Sequence, residues 1–411
     1  MSDRIQAPRG TFDVLPDDAQ VRAQLEASAR RILERAGYGR IETPTFEATA
    51  LFARGVGAST DVVQKEMYTF NETESESFTL RPEGTAPVCR AYMEHGMHKL
   101  PQPVRLWYLS TFFRRERPQQ GRYRQFWQIG AEAIGSDDPA VDAETILLLA
   151  EILEAASTRE LRLRLSSLGT PDTRAAYRAE LQDYLRAHED RLSPEVRDRI
   201  DLNPLRAFDA DHPGTREVMR GAPLLLDRLD PDDREHFETV KQLLDVADLA
   251  YEIDPTLVRG LDYYTRTVFE FTSDALGAQS GVGGGGRYDG LIEQIGGPPT
   301  PGMGWAAGVE RILLASSPPA AAPPPVDLFV AYATPELKHQ AFRLAADARR
   351  AGHAARVELG GRSLKGQLKQ ADRAGARYVA ILGDEGTALK DMETGEQRDV
   401  ETSTVMHHIT H

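Results

Sequence analysis

The run Ala315-Ser316-Ser317-Pro318-Pro319-Ala320-Ala321-Ala322-Pro323-Pro324-Pro325 rules out one continuous core for this chain. Proline removes backbone donors and favours extended chain, so residues 316–325 are predicted to form a semi-rigid linker. Behind it, residues 326–411 alternate strand-like and helix-like segments. Asp327–Tyr332, Ala355–Leu359 and Tyr378–Gly383 read as strands, and Pro335–Ala351 and Leu364–Ala374 as helices. That alternation predicts a small α/β domain with a largely parallel sheet. Ahead of the linker, residues 1–168 mix helices (Ala19–Ala36, Val141–Ser157) with strands (Glu66–Phe70, Ser77–Leu80, Val104–Leu109, Gln125–Ile129). Residues 169–252 turn helical and acidic and read as an insertion. Strand character returns at Thr267–Phe271, within a segment 253–315 that completes the first domain.

Charge sharpens this division. The chain of 411 residues carries a net charge of −14, yet residues 326–411 hold as many Lys and Arg as Asp and Glu, so the excess acid lies upstream. Against that background Arg114-Arg115-Glu116-Arg117-Pro118-Gln119-Gln120-Gly121-Arg122-Tyr123-Arg124-Gln125-Phe126 stands out, with five arginines, one acid and an aromatic end. Arginine forks match phosphate oxygens bidentately, and guanidinium and phenyl planes both stack on a nucleobase. Taken alone the run also fits a solvated basic loop. Lys365, Lys369 and Arg373 fall four residues apart on a predicted helix and form a second basic stripe, again readable as a solvated face.

Four further pieces carry chemistry. Leu80-Arg81-Pro82-Glu83-Gly84-Thr85 is a turn after a strand that presents a carboxylate and a hydroxyl suited to an ammonium group. Arg259-Gly260-Leu261-Asp262-Tyr263-Tyr264 offers a cation and two rigid phenols. Gly281-Val282-Gly283-Gly284-Gly285-Gly286-Arg287-Tyr288-Asp289-Gly290 permits positive φ and close backbone approach to a ligand, or equally a mobile hairpin. It lacks the Gly-Lys-Ser/Thr closure of a Walker loop. Pro301–Leu314 reads as a Gly-rich strand feeding a helix, with Arg311 in the opening turns where a phosphate can be held. Together these suit a nucleotide plus an amino acid. No Ser-His-Asp or Cys-His arrangement is evident. The single cysteine, Cys89, and the lack of Cys/His pairs at ligand spacing argue against structural zinc and fit a reducing compartment, with the cytoplasm as the expected address. The longest apolar stretch, Ile146–Ala156, is broken by Glu151 and Glu154, so no membrane span is expected.

In this order the pieces resemble the histidyl-tRNA synthetases, a family of class II aminoacyl-tRNA synthetases, from Pro8-Arg9-Gly10-Thr11-Phe12 to the C-terminal domain. Arg40–Glu47 resembles class II motif 1, Phe113–Phe126 motif 2 and Gly308–Arg311 motif 3. Arg259–Tyr264 and Gly284–Gly290 resemble the two signatures peculiar to the histidine enzymes. The resemblance implies an α+β catalytic domain on an antiparallel sheet with a helical insertion, followed by an α/β anticodon-binding domain. It implies activation of L-histidine by ATP and transfer to tRNA(His), in a homodimer built through motif 1. It assigns Arg114, Glu116, Arg122, Phe126 and Arg311 to ATP, with Arg114, Arg259 and Arg311 as the catalytic cations. Glu83, Thr85 and Gln128 would hold the substrate ammonium, Glu132 and Tyr264 the imidazole, and Tyr263 and Tyr288 would help close the pocket. Arg117 and Gln119 would meet the acceptor stem, and Lys365, Lys369 and Arg373 the anticodon arm. Mg²⁺ is expected with ATP and no structural metal. Two departures stand out: Trp127, where a smaller polar residue is usual, and Ala131, at a position often held by Cys. Relatives that serve as histidine-sensing regulatory subunits usually lack both the C-terminal domain and the arginine-bearing signature. Both are present in this sequence.

Overall fold

Several helix starts in this chain are written as a capping residue followed by proline: Asp138-Pro139, Thr170-Pro171, Ser193-Pro194 and Asp230-Pro231. In each the side-chain oxygen of the first residue accepts a backbone N–H of the opening turn, as Asp138 does from Ala140 at 2.8 Å and Asp230 from Asp233 at 2.8 Å. Proline sacrifices only an N–H that would be unpaired there, and such a cap stabilises its helix by about 1 kcal/mol. The computed structural model describes residues 4–57, 60, 62–73, 76–257, 261–317 and 326–409. Residues 318–325 of the expected linker, and Val258, Arg259 and Gly260 of the first histidine signature, lie outside the described residues. The chain forms two units, Met1–Pro319 and Ala320–His411.

The first unit is built on an eight-stranded sheet. Its strands run in the order Gly39–Arg40, Val104–Phe113, Gln125–Ile134, Gly302–Gly308, Gly281–Arg287, Thr265–Ser273, Leu161–Ser167, Glu252–Ile253. Only the outermost pair at each end is parallel; all interior pairs are antiparallel. Because side chains alternate along a strand, each strand supplies two different faces. Trp107, Ile129, Ala131, Phe269, Phe271 and Met303 turn into one core. Four helices cover that face: Pro16–Arg35, Pro139–Ala155, Pro231–Val246 and Val309–Ala315. On the other face Tyr108, Phe112, Val268 and Tyr288 pack with Val88, Cys89 and Tyr92 of helix Thr85–Glu94. This second face is where the site forms.

The acidic segment 169–252 divides in a way the sequence did not suggest. Tyr177, Leu181, Leu192, Val196, Val218 and Leu225 make a separate small core. Helix Pro231–Val246, expected within the insertion, instead buries Phe237, Val240 and Leu244 in the main core. Three buried apolar side chains contribute about 1.5–3 kcal/mol each, more than enough to hold an acidic helix against the sheet. A third sheet, Phe46–Ala48, Ser77–Leu80 and Tyr68–Asn71, is antiparallel throughout. Glu66, expected in a strand, ends a π-helical turn from Val62, and the strand starts at Tyr68.

In the second unit Ala355–Val357, Val326–Tyr332 and Ala376–Gly383 are parallel, with Lys338–Arg350 and Leu364–Arg373 packed on the two faces. Two antiparallel strands, Gly386–Asp391 and Gln397–Val400, extend it. The largely parallel sheet expected from sequence therefore needs correcting: it is half hairpin. Gln397–Val400 is short, polar and largely exposed, and Gly386–Asp391 buries only Thr387 and Leu389, too few apolar positions for an alternating pattern to be read.

Candidate active site

One cavity of about 380 Å³ opens on the second face of the large sheet. Its wall holds two groups of side chains, Arg114, Glu116, Arg122, Tyr123, Phe126 and Arg311 in one and Glu83, Thr85, Gln128, Tyr263 and Tyr264 in the other, together with the backbone of Gly281–Gly284; Arg114, bonded to the Pro82 carbonyl, joins the two. The strand Gln125–Ile134 explains much of this grouping. Phe126 and Gln128 share one face with Glu132, whereas Ile129, Ala131 and Ala133 turn into the core.

Arg114 leaves the strand Val104–Phe113 and donates through Nε to the Pro82 carbonyl at 2.9 Å. Its guanidinium lies 5.4 Å from the Phe126 ring centroid. Arg311 is held twice by backbone, donating to Gly121 at 2.8 Å and to Gly281 at 2.7 Å. Burial pulls its affinity for a proton below the ordinary arginine value, and Arg122 and Arg114 add repulsion that Glu116 and Glu270 partly offset. Glu116 pairs with Arg122 at 2.6 Å and approaches Arg114 at 3.9 Å. The cations are thus crowded together by neutral carbonyls and few acids, an arrangement that favours an incoming polyanion.

The second group is acidic and hydroxylic. Glu83 caps helix Thr85–Glu94, accepting the N–H groups of Thr85 at 2.7 Å and Ala86 at 3.0 Å. Burial raises its pKa and these backbone donors offset part of the rise. Thr85 donates its hydroxyl to Glu132 at 2.8 Å. Gln128 lines the cavity, and its Oε1 is buried without a hydrogen-bond partner. Glu132 itself is fully buried and sits behind that wall rather than in it. It accepts from Tyr288 at 2.7 Å and, more weakly, from Tyr108 at 3.4 Å. Burial pushes its carboxyl up to about 8, with the negative Glu83 adding to the rise and the hydroxyl donors opposing it. Only glycine fits at position 304, opposite Glu132 in the ladder, since a Cβ there would stand 1.8 Å from Oε2.

The structure brings Arg114, Glu116, Arg122, Phe126, Arg311, Glu83, Thr85, Gln128, Tyr263 and Tyr264 to one cavity, with Glu132 and Tyr288 directly behind it. Arg259 lies outside the described residues. Arg117 and Gln119 are exposed on the loop between the two long strands, which turns back through a Gln119–Arg122 bridge. Lys365, Lys369 and Arg373 share the exposed side of helix Leu364–Arg373, opposite buried Gln367 and Ala371. Trp127, the departure noted above, turns toward the main core under Arg22, whose guanidinium lies 5.0 Å from its ring. Glu310 accepts the Trp127 N–H and pairs with Arg22 at 2.5 Å. Two wall residues, Glu270 and Tyr123, were missed from sequence. Glu270 is two residues from Val268 on the same strand face, so period-2 counting would have placed it; Tyr123 was hidden inside the arginine run.

A mixed, mainly antiparallel sheet carrying a strand–loop–strand arginine platform and a helix-borne arginine over one cavity defines a class II aminoacyl-tRNA synthetase. The comparisons narrow this. The family profile described as Histidyl-tRNA synthetase matches residues 10–312, and that described as Anticodon binding domain matches residues 327–411. The histidine–tRNA ligase of Desulforamulus reducens is 47% identical over 402 residues, covering 96% of each chain. That of Thermosynechococcus vestitus is 48% identical, covering 96% of this chain and 93% of its own. The crystal structure of apo histidyl-tRNA synthetase from S. aureus superposes with a TM-score of 0.82 at 34% identity, covering 99% of this chain and 100% of that one. The chain belongs to the histidyl-tRNA synthetase family. It joins L-histidine to tRNA(His) at the expense of ATP, through histidyl-adenylate. A structure described as an ATP phosphoribosyltransferase regulatory subunit/histidyl-tRNA synthetase from Bacillus halodurans shares the fold at 21% identity, with a TM-score of 0.67, covering 92% of this chain and 98% of that one.

Proposed function

We propose that the cationic end of the cavity holds ATP and the hydroxylic end holds histidine, so that the carboxylate and the α-phosphorus meet between them. In this reading Arg114 contacts the α-phosphate and Arg311 the γ-phosphate. Phe126 stacks on adenine, Glu116 lies near its amino group, and Arg122 is held ready by Glu116. Glu83, Thr85 and Gln128 take the ammonium; all three line the cavity, and the Gln128 Oε1 has no hydrogen-bond partner. Tyr264 reads one imidazole nitrogen from the wall and Glu132 the other, for which Thr85 or Tyr288 must give up its hydrogen bond to the buried carboxyl, and Tyr263 and Tyr288 close the pocket. Arg259 stands by the carboxylate and α-phosphate.

The histidine carboxylate is ionised at neutral pH, so attack on phosphorus needs no general base. Positioning and cationic stabilisation of the charge-spread transition state supply the catalysis. No group of three His, Cys, Asp or Glu able to cage a metal occurs among the described residues. Mg²⁺ keeps its waters and leans on phosphates, so it would enter with ATP and neutralise part of its charge, and Glu270, near Arg311 on the cavity wall, would be the carboxylate available to its water shell. Arg117 and Gln119 face the acceptor stem, and Lys365, Lys369 and Arg373 the anticodon arm. We read the enzyme as a cytoplasmic homodimer. The lone buried Cys89 supports the first, and the aromatic patch on the motif 1 sheet the second. Among the described residues no helix is long and apolar enough to cross a membrane.

The observation that carries this reading is the shared cavity, whose wall holds both the cations and the acid–hydroxyl cluster. Histidine-dependent ATP–pyrophosphate exchange tests it. Arg311→Ala is expected to lower kcat by ~10²–10³ while the histidine KM stays within about threefold. An unchanged rate would remove Arg311 from the reaction.

A further inference from the structure

Behind the two histidine signatures runs a polar network that no substrate can touch, and most of it converges on one helix. Asp233 and His236 lie one turn apart near the start of helix Pro231–Val246, both buried. Asp233 accepts from Arg266 Nε at 2.8 Å and from the Thr170 N–H at 2.6 Å. Arg266 follows Tyr264 by two residues. It adopts a left-handed φ of 45°, a conformation that a non-glycine residue keeps only when its surroundings enforce it. They do so from two sides: Arg266 exchanges backbone hydrogen bonds with Leu168 and Gly169 at 2.7 and 2.8 Å while Asp233 holds its side chain. Arg174, on the insertion's first helix, donates to the Tyr264 carbonyl itself.

His236 reaches the second signature. Its Nε2 lies 2.8 Å from Asp142, whose other oxygen accepts Arg287 Nε at 3.0 Å; Arg287 and Asp142 are both completely buried. Burial works against the Asp142 charge, but His236 and Arg287 overcome it and hold the carboxyl below its ordinary value. Arg287 immediately precedes Tyr288, the donor to Glu132. Asp289, on the other side of Tyr288, accepts from Thr265 at 3.4 Å and from Arg287 at 3.2 Å, so the two signatures are also tied to each other.

We propose that Asp233 and His236 are positioning residues for histidine selection, by which the helix that closes the insertion fixes the backbones of Tyr264 and Tyr288 around the imidazole site. Neither residue lines the cavity. Hydroxyls that discriminate a ring by hydrogen bonding must be held to within about half an ångström, and a tyrosine follows the backbone that carries it. A network serving stability alone would not need to converge on the residues flanking both tyrosines. The same contacts make the insertion's two connections to the sheet, at 168–174 and 230–236, part of the support of the pocket.

The inference rests on the reading that Tyr264 faces histidine, so the experiment separates the two. In the full-length enzyme, Asp233→Ala, Asp233→Asn, His236→Ala and His236→Gln are compared by pyrophosphate exchange, with Tyr264→Phe as reference. Both alanine variants are expected to raise the histidine KM about tenfold while the ATP KM moves less than about twofold, and to weaken rejection of a triazole analogue of histidine. His236→Gln, which keeps a donor for Asp142, should recover most of the loss, and Asp233→Asn, which keeps one of two acceptor oxygens, part of it. Should an alanine variant fail to fold, Arg174→Ala gives the same readout from a half-buried position. Histidine and ATP KM values that shift together, or neither shifting in a folded variant, would overturn the proposal. If Tyr264→Phe also leaves the histidine KM unchanged, the fault lies in the site reading instead.

Discussion

Glu132 concentrates the conflict between stability and selection in one side chain. It is fully buried, hydrogen-bonded by Tyr288 and Thr85, and close enough to Glu83 to be repelled by it. Its pKa rises from 4.5 to about 8, burial being the main cause. The sign of the stability effect follows from proton counting. Between pH 4.5 and about 8 the unfolded chain has released this proton and the folded chain retains it, so the contribution to stability is full below 4.5 and drains away as pH approaches 8. Glu132→Gln removes that slope. The variant is expected to gain melting temperature relative to the parent at pH 8 and to gain none at pH 4.5, as scanning calorimetry at the two pH values would show. The same change replaces the carboxyl that, in the proposed reading, meets the ring. A buried partner left mismatched weakens binding by about 1–3 kcal/mol, so the histidine KM should rise roughly tenfold or more. An ATP KM rising equally would break the assignment. A variant that stabilises the fold while weakening the substrate is the usual signature of a strained functional group.

Among elements, the strand Gly281–Arg287 shows most clearly why some of this fold was illegible. Its glycines were read as sources of positive φ or as a mobile hairpin. None of them has a positive φ, and they lie inside the sheet between Thr265–Ser273 and Gly302–Gly308. A run of glycine has no side chains and so no period to count; its strand is specified by its neighbours. What the glycines supply is room. A Cβ on residue 285 would stand 1.9 Å from the Gly304 carbonyl oxygen, and backbone in mid-sheet cannot retreat. Gly285→Ala is therefore expected to destabilise the first unit by at least about 3 kcal/mol, seen as loss of soluble protein or a lowered urea midpoint. By contrast a Cβ on residue 281 would meet only side-chain ends, the Glu270 carboxylate at 3.0 Å and Arg311 Nη1 at 3.7 Å, so Gly281→Ala should fold. The site was more legible than the sheet. Arginine, acid and tyrosine sit in short local motifs whose chemistry is visible without contacts. Pairing Gln125–Ile134 with Gly302–Gly308 depends on chain segments more than 160 residues apart. The helix Pro231–Val246 was legible too, since Phe237, Val240 and Leu244 recur at helical spacing, but the surrounding acid disguised its inward face.

At the scale of the whole molecule, two surfaces remain to be used. Phe46, Phe70 and Phe78 form a cluster with centroids 5.7–6.0 Å apart on the sheet that carries motif 1. Phe46 and Phe70 are 49% and 44% exposed, an apolar patch of a kind that monomers rarely leave open. For the homodimer proposed above, Phe46→Asp with Phe70→Lys is expected to shift the equilibrium toward monomer in sedimentation equilibrium, without changing the circular dichroism. An unchanged dimer would place the interface elsewhere. The second surface is the stripe Lys365, Lys369 and Arg373, exposed on its helix in a unit with its own buried core. The cavity proposed for histidine activation lies in the first unit, so the stripe should matter only when tRNA is present. Each cation that neutralises a phosphate releases a counterion, and log affinity then falls with log salt by a little under one per contact. Replacing all three by alanine should raise the tRNA KM and flatten the salt dependence of aminoacylation by up to about two to three in slope. Pyrophosphate exchange in the same variant should keep the parent's kcat and both small-substrate KM values. A slope that stays steep would mean that the stripe faces solvent in the complex and that other cations hold the tRNA.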